Sequence, residues 1–238
     1  YGLYLKQLYL HAHPEISTLF PLAAMPAVRT TQDIDLFLRA DILAEPDQMS
    51  AIRNAIDALE FDVIESAKYM QFIKIVPEGR VKLDLLAGPM GELADRVRFD
   101  SRRVKPARRV NLHARRVDEA VGVEEGQFQV PVTGRTSSGV EHTTTVLIPQ
   151  AFSYLLMKLL AFRDQLANQD KDLGRHHAFD AYRIVGLTTE AEDPLVRDLS
   201  RRHREDPNVL NARRVVKEHF GSDTSLGLLR IREHSLFT

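Results

Sequence analysis

The apolar positions change rhythm along the chain. Residues 1–13 set Leu3, Leu5, Leu8 and Leu10 among tyrosines, which predicts a buried helix. Pro14, Pro21 and Pro26 make 14–31 a loop with short helical pieces. From 33 to 39 the period drops to two. Ile34, Leu36 and Leu38 alternate with Asp33, Asp35 and Phe37, so a strand with one largely polar face is expected. Pro46 then opens a helix to about Leu59, with Met49, Ile52, Ile56 and Leu59 on one stripe. Strands are expected at about 61–66, 70–76 and Val81 to Leu86, the last ended by Gly88-Pro89. Gln127–Thr133 and Thr143–Ile148 read as a strand pair. After Pro149 the pattern turns helical: 150–167, 172–187, one or two helices in 191–219, and a short apolar helix or tail from Ser225 to Phe237. The expected fold is α+β. A mixed β-sheet with helices occupies 1–148, and a helical domain follows at 149–238.

Composition narrows the function classes. Apolar residues make up 44% of 238, enough for a core. Lys+Arg number 32 against 33 Asp+Glu, a formal net charge of −1. A wholly basic nucleic-acid binder is thereby excluded, and any such role must come from local clustering. With no cysteine there is no disulfide framework, thiolate metal site or Cys nucleophile. No apolar run approaches the ~20 residues of a membrane span. The opening Tyr1–Lys6 segment lacks the basic start and cleavage site of a signal peptide. The expected setting is soluble and cytoplasmic, without a membrane partner.

The acidic residues carry the first candidate chemistry. Asp33 and Asp35 lie two apart on a predicted strand, so both point to one face, roughly 6.6 Å apart. Asp84 alternates with Leu83 and Leu85; if its strand pairs with 33–39, it joins that face as a third carboxylate. Such a group raises its own pKa values through mutual repulsion, a cost that a hard cation removes. Mg²⁺ or Mn²⁺ at Asp33, Asp35 and Asp84, completed by water and substrate phosphates, is the expected metal site. The Asp-x-Asp pattern alone also describes a solvated strand face.

The basic residues carry the second. Lys158 interrupts the apolar run Phe152 to Phe162, where an ammonium either snorkels or meets an anion. The functional reading turns it toward nucleotide phosphates in a cleft, facing Asp33 and Asp35. Arg163, five residues on, lies about 140° around the helix and can contact phosphate or an acid. Asp172, His176 and Asp180 share a helical face. They form either a transition-metal set or, more blandly, acids that orient Lys158 or Arg163. Between 96 and 116 stand Arg96, Arg98, Arg102, Arg103, Lys105, Arg108, Arg109, Arg115 and Arg116 against one acid, Asp100. Nucleic-acid phosphate, including a tRNA, fits this run. A solvated basic loop, or one paired with Asp118, Glu119, Glu124 and Glu125 in the acidic 117–125 segment, fits it too.

The segment Arg29, Thr31, Asp33, Ile34, Asp35, Leu36 resembles the signature of the nucleotidyltransferase superfamily, in particular the AbiEii-like branch that includes MenT-type toxins of toxin–antitoxin systems. Lys158 and Arg163 are similar to that family's Lys-x4-Arg. Lys171-Asp172 and Phe179 to Val185 resemble its following helix, with Ala181 where Leu is usual. The resemblance spans most of 1–187. It implies a nucleotidyltransferase-like fold, a Gly-Gly or Gly-Ser pair directly before Tyr1, and metal-dependent transfer of a nucleotide from an NTP to an acceptor hydroxyl with release of pyrophosphate. It implies Asp33, Asp35, Asp84 and Lys158 as catalytic residues, with Asp172 or Asp180 as the family's final acid. Arg29, Thr31, Lys158 and Arg163 would bind nucleotide, and a cognate antitoxin would be a partner. The contrasting reading is a catalytically silent fold of this kind that binds RNA or protein.

Overall fold

The computed structural model describes residues 1–27, 32–136 and 138–237. The chain packs as two compact units. One is Thr30–Val121 with Tyr1; the other joins Gly2–Arg29 to Gly122–Thr238. The expected break near Pro149 marks where strand gives way to helix along the sequence, whereas the packing break falls at Val121–Gly122. Each unit has its own apolar core.

Helix α1 (Gly2–Ala12) belongs to the other unit; in the first, β1 (Asp33–Phe37) is followed by α2 (Ala40–Ala44) and α3 (Pro46–Ala58). Then come β2 (Asp62–Val63), β3 (Gln71–Val76), β4 (Gly79–Ala87), β5 (Val97–Phe99), β6 (Arg103–Pro106) and β7 (Ala114–Arg116). All seven strands form one mixed sheet. Strand β4 is its spine. It runs parallel to β1 and to β7 and antiparallel to β3, while β5, β6 and β7 continue antiparallel beyond it. The β3–β4 hairpin closes at Val76↔Gly79. Gly79 has φ +137°, and a Cβ there would lie 2.7 Å from Gln32 Nε2, so the turn requires glycine.

Alternation puts Leu83, Leu85, Ala87, Phe72, Val97, Val104 and Ala114 on one face, packed with Leu43, Met49 and Ile56. Pro46 opens α3 at its first turn, where its missing N–H costs nothing, and Met49 and Ile56 follow at helical spacing. Burying such a side chain stabilises by about 1.5–3 kcal/mol. The opposite face of the sheet is polar, as the two-residue period demands.

The structure differs from the sequence-based reading at four places. Strand β2 covers only Asp62–Val63 instead of 61–66, because Glu65–Ala67 coils into a 3₁₀ turn. Ala40–Ala44 is helical, a short element with too few turns to show a period. The basic run is not a loop: Val97, Phe99, Val104, Pro106 and Ala114 alternate with cations and build β5, β6 and β7. Finally, the helix expected from 172 begins at Arg175. Asp172, Leu173 and Gly174 all have positive φ (52°, 52° and 74°), which breaks the helix before it.

The second unit starts with α1 (Gly2–Ala12). After Gly122 come the hairpin β8 (Phe128–Arg135) and β9 (Glu141–Ile148), then α4 (Ala151–Gln165), α5 (Arg175–Gly186), α6 (Asp193–Arg202), α7 (Pro207–His219) and α8 (Leu226–Arg232). Leu3 and Leu10 of α1 share a core with Met25, Ala151, Ile184 and Leu187. Lys6 and Glu192 form a buried ion pair at 2.6 Å, and Arg183 donates to Gln7 Oε1 at 2.8 Å. The sequence reading missed this pair, since Lys6 and Glu192 are 186 positions apart. Among the described residues no helix is long and apolar enough to cross a membrane.

Candidate functional site

Register fixes the polar face of the first unit. Asp33 pairs with Lys82, and Asp35 pairs with Asp84. Paired residues of neighbouring strands project to the same side, about 4.8 Å apart. Asp33, Asp35, Lys82 and Asp84 therefore form one patch, with Gln71, the β3 partner of Asp84, alongside. Asp33 and Asp35 are exposed and Asp84 is half-buried. Lys82 donates from Nζ to Asp84 Oδ2 at 2.8 Å. The other carboxylate oxygen of Asp84, Oδ1, is buried and has no hydrogen-bond partner among the described residues. A buried acceptor left in this state costs about 1–3 kcal/mol.

These residues bear on a divalent ion in two ways. The orphaned Oδ1 beside Asp35 is the oxygen-rich, anionic environment a hard cation takes. Yet among the described residues no three His, Cys, Asp or Glu side chains gather closely enough to hold a metal by themselves. The fit is thus to an ion held by one or two carboxylates, with water and phosphate oxygens completing its shell. That is the usual manner of Mg²⁺.

The same face continues into the basic strands. Leu86 of β4 pairs with Arg115 of β7, which pairs with Arg103 of β6; Lys105 of β6 pairs with Arg98 of β5. Arg98, Arg103, Lys105 and Arg115 thus share the side that carries Asp84. His113, two residues before Arg115, meets Tyr69 edge-on at 5.2 Å between ring centres. Its Nδ1 is buried and unpartnered among the described residues. Burial first, then the charges of Lys105 and Arg103, hold its pKa down at about 4, against 6.5 for an ordinary histidine. Lys105 is paired with Asp100 at 2.6 Å. Elsewhere in the run Arg96 pairs with Glu45, Arg108 with Asp47, and Arg116 with Asp118. A cavity of about 250 Å³ is lined by Gly88, Met90, Phe99 and Arg116. Arg116 pairs with Ala87, so this cavity belongs to the core side, not to the carboxylate face.

The second unit holds the other predicted residues. Lys158 Nζ lies 2.9 Å from Asp180 Oδ2, and Arg183 Nη1 lies 3.6 Å from Asp180 Oδ1. Asp180 is buried, so α5 carries an acid shared by two cations. Lys158 is therefore not a bare snorkelling lysine. Asp172 pairs instead with Arg175 at 3.0 Å, and His176 meets His234 at 3.0 Å. The left-handed turn puts Asp172 outside α5, yet its carboxylate still meets His176 Nε2 at 3.6 Å, while Asp180 turns to Lys158 and Arg183; among the described residues the three do not form a metal set. Arg163 turns to its neighbour Asp164 at 2.6 Å. Arg29 and Thr31 lie outside the described residues. No family model, curated protein or solved structure matches the chain.

Proposed function

We propose that this protein is a nucleotidyltransferase of the metal-dependent class, and more narrowly one that moves a nucleotide from an NTP to a hydroxyl of a nucleic-acid acceptor such as tRNA. The observation that carries the reading is the register Asp35↔Asp84 with Asp33 on the same face. Asp33 and Asp35 would hold the ion, which when bound supplies charge neutralisation for the triphosphate. Asp84 would join the ion as a third ligand or take the proton of the attacking hydroxyl, and Lys82 fixes its carboxylate through Oδ2. The hydroxyl oxygen bonds to the α-phosphorus, the bond from that phosphorus to the bridging oxygen breaks, and pyrophosphate leaves. Placement and electrostatics, with no covalent intermediate, are sufficient for such a step.

A second reading has its own observation. The absence of a three-ligand cluster among the described residues, with Lys82 already on Asp84, favours a fold that binds without transferring.

Asp35→Asn separates the two. The test is release of pyrophosphate and label transfer from α-labelled NTPs to mixed RNA in Mg²⁺, together with Mn²⁺ binding followed by its electron spin resonance signal. Transfer should fall by roughly 10²-fold or more, Mn²⁺ binding should weaken, and the thermal midpoint should hold or rise because a repulsive charge is gone. A parent protein that binds no Mn²⁺ and releases no pyrophosphate refutes the transferase reading.

A further inference from the structure

Two like-charged pairs stand side by side on the polar face of the first unit. Arg103 is directly opposite Arg115, and Lys105 is directly opposite Arg98. Like charges in directly opposed positions destabilise an antiparallel pair. Three strands that could carry threonine or valine on this side instead carry four cations. Of these, Lys105 alone has an acidic partner in Asp100; Arg103 and Arg115 have none among the described residues. The lone acid does not neutralise the group, and His113 between Tyr69 and the cations stays uncharged, its Nδ1 unsatisfied. The strip spans β5, β6 and β7, about 10 Å across at ordinary strand spacing. It ends at Leu86, one pleat repeat from Asp84.

We propose that Arg98, Arg103, Lys105 and Arg115 form a phosphodiester-binding surface that takes the backbone of a nucleic-acid strand. Three features point to a strand over a single phosphate. The cations are spread over three strands of sheet in place of a cup. They are arginines in the main, whose planar forks hold phosphate oxygens two at a time. They also run edgewise toward the carboxylates, so a strand lying on them is directed along the face that carries Asp84. The other cations of the 96–116 run take no part. Arg96, Arg108 and Arg116 are occupied by Glu45, Asp47 and Asp118, and Arg102 and Arg109 fall outside the strands. The surface deepens the transferase reading by assigning residues that would hold its nucleic-acid acceptor and rests on that reading only for the chemistry. Binding itself needs neither NTP nor metal.

The test is fluorescence anisotropy of a labelled single-stranded oligoribonucleotide in EDTA across a salt series, so that failure here leaves metal-dependent transfer untouched. Arg103→Gln with Arg115→Gln should weaken binding by about tenfold or more and lower the log–log salt slope by about 1.4, the share of two phosphate contacts on a single strand. Its ligand-free melting midpoint should match or exceed the parent's, because a repulsive pair is removed. Arg108→Gln with Arg109→Gln should stay within about twofold of the parent. Equal losses in the two double variants, or an unchanged salt slope in the first, overturn the proposal. So does inorganic triphosphate that displaces the RNA as well as an equal concentration of RNA phosphate does, since the surface is then a seat for small anions.

Discussion

His113 shows how one side chain reports on its neighbourhood. It faces Tyr69, the cations Lys105, Arg103 and Arg98, and the single acid Asp100. Burial and these cations favour the neutral ring, so its folded pKa of about 4 lies below the ordinary 6.5. A group whose pKa is lowered on folding stabilises the protein above the unfolded value and loses that contribution as pH falls toward the folded one. Stability should therefore decline from pH 6.5 toward 4 more steeply in the parent than in His113→Gln. Urea melts at several pH values measure this directly, and superimposable pH profiles would show that His113 is solvated. Bound phosphate reverses the sign of the local field, so a saturating oligonucleotide should shrink the difference.

At the scale of elements, α4 and α5 are joined by Lys158 and Asp180 within an otherwise apolar contact. Lys158→Met keeps the stem but leaves the buried Asp180 with Arg183 at 3.6 Å. The expected loss is about 1–3 kcal/mol, below that of a fully orphaned buried acid because Arg183 remains. Lys158→Met with Asp180→Asn should recover much of it, which a denaturant double-mutant cycle would read; additive losses would mean the two do not interact. Sequence reasoning could see that this lysine needed an anion. It could not choose between Asp172 and Asp180, since the choice depends on two non-glycine residues, Asp172 and Leu173, adopting left-handed backbone. The carboxylate face was legible because a period of two assigns faces without knowledge of the partner strand. The short strands β5 to β7 were harder. Each offers three or four residues, and the density of charge masked an alternation that Val97, Phe99 and Val104 carry. The pairing of Arg103 with Arg115 required the register itself.

Over the whole molecule, the least legible feature was the division of the chain, because it rests on contacts between distant segments. Helix α1 joins the C-terminal unit through its apolar face and through Lys6. Burial pushes the Lys6 pKa down while Glu192 pulls it up, so the pair is held against a desolvation cost. Lys6→Ala should destabilise by about 3–5 kcal/mol, because it strands Glu192 in the interior. Lys6→Met with Glu192→Gln should lose far less; equal losses in thermal and urea melts would show that the packing of α1, not the charge pair, dominates. The same arrangement sets a timetable for biosynthesis. The first unit is an insertion within the second. Glu192 is made 186 residues after Lys6 of α1. At about 5–20 residues per second, α1 waits roughly 10–40 s for that partner. All seven strands of the inserted sheet are translated in the interval. The nascent chain thus completes this sheet while Leu3 and Leu10 of α1 still lack their partners Ala151, Ile184 and Leu187.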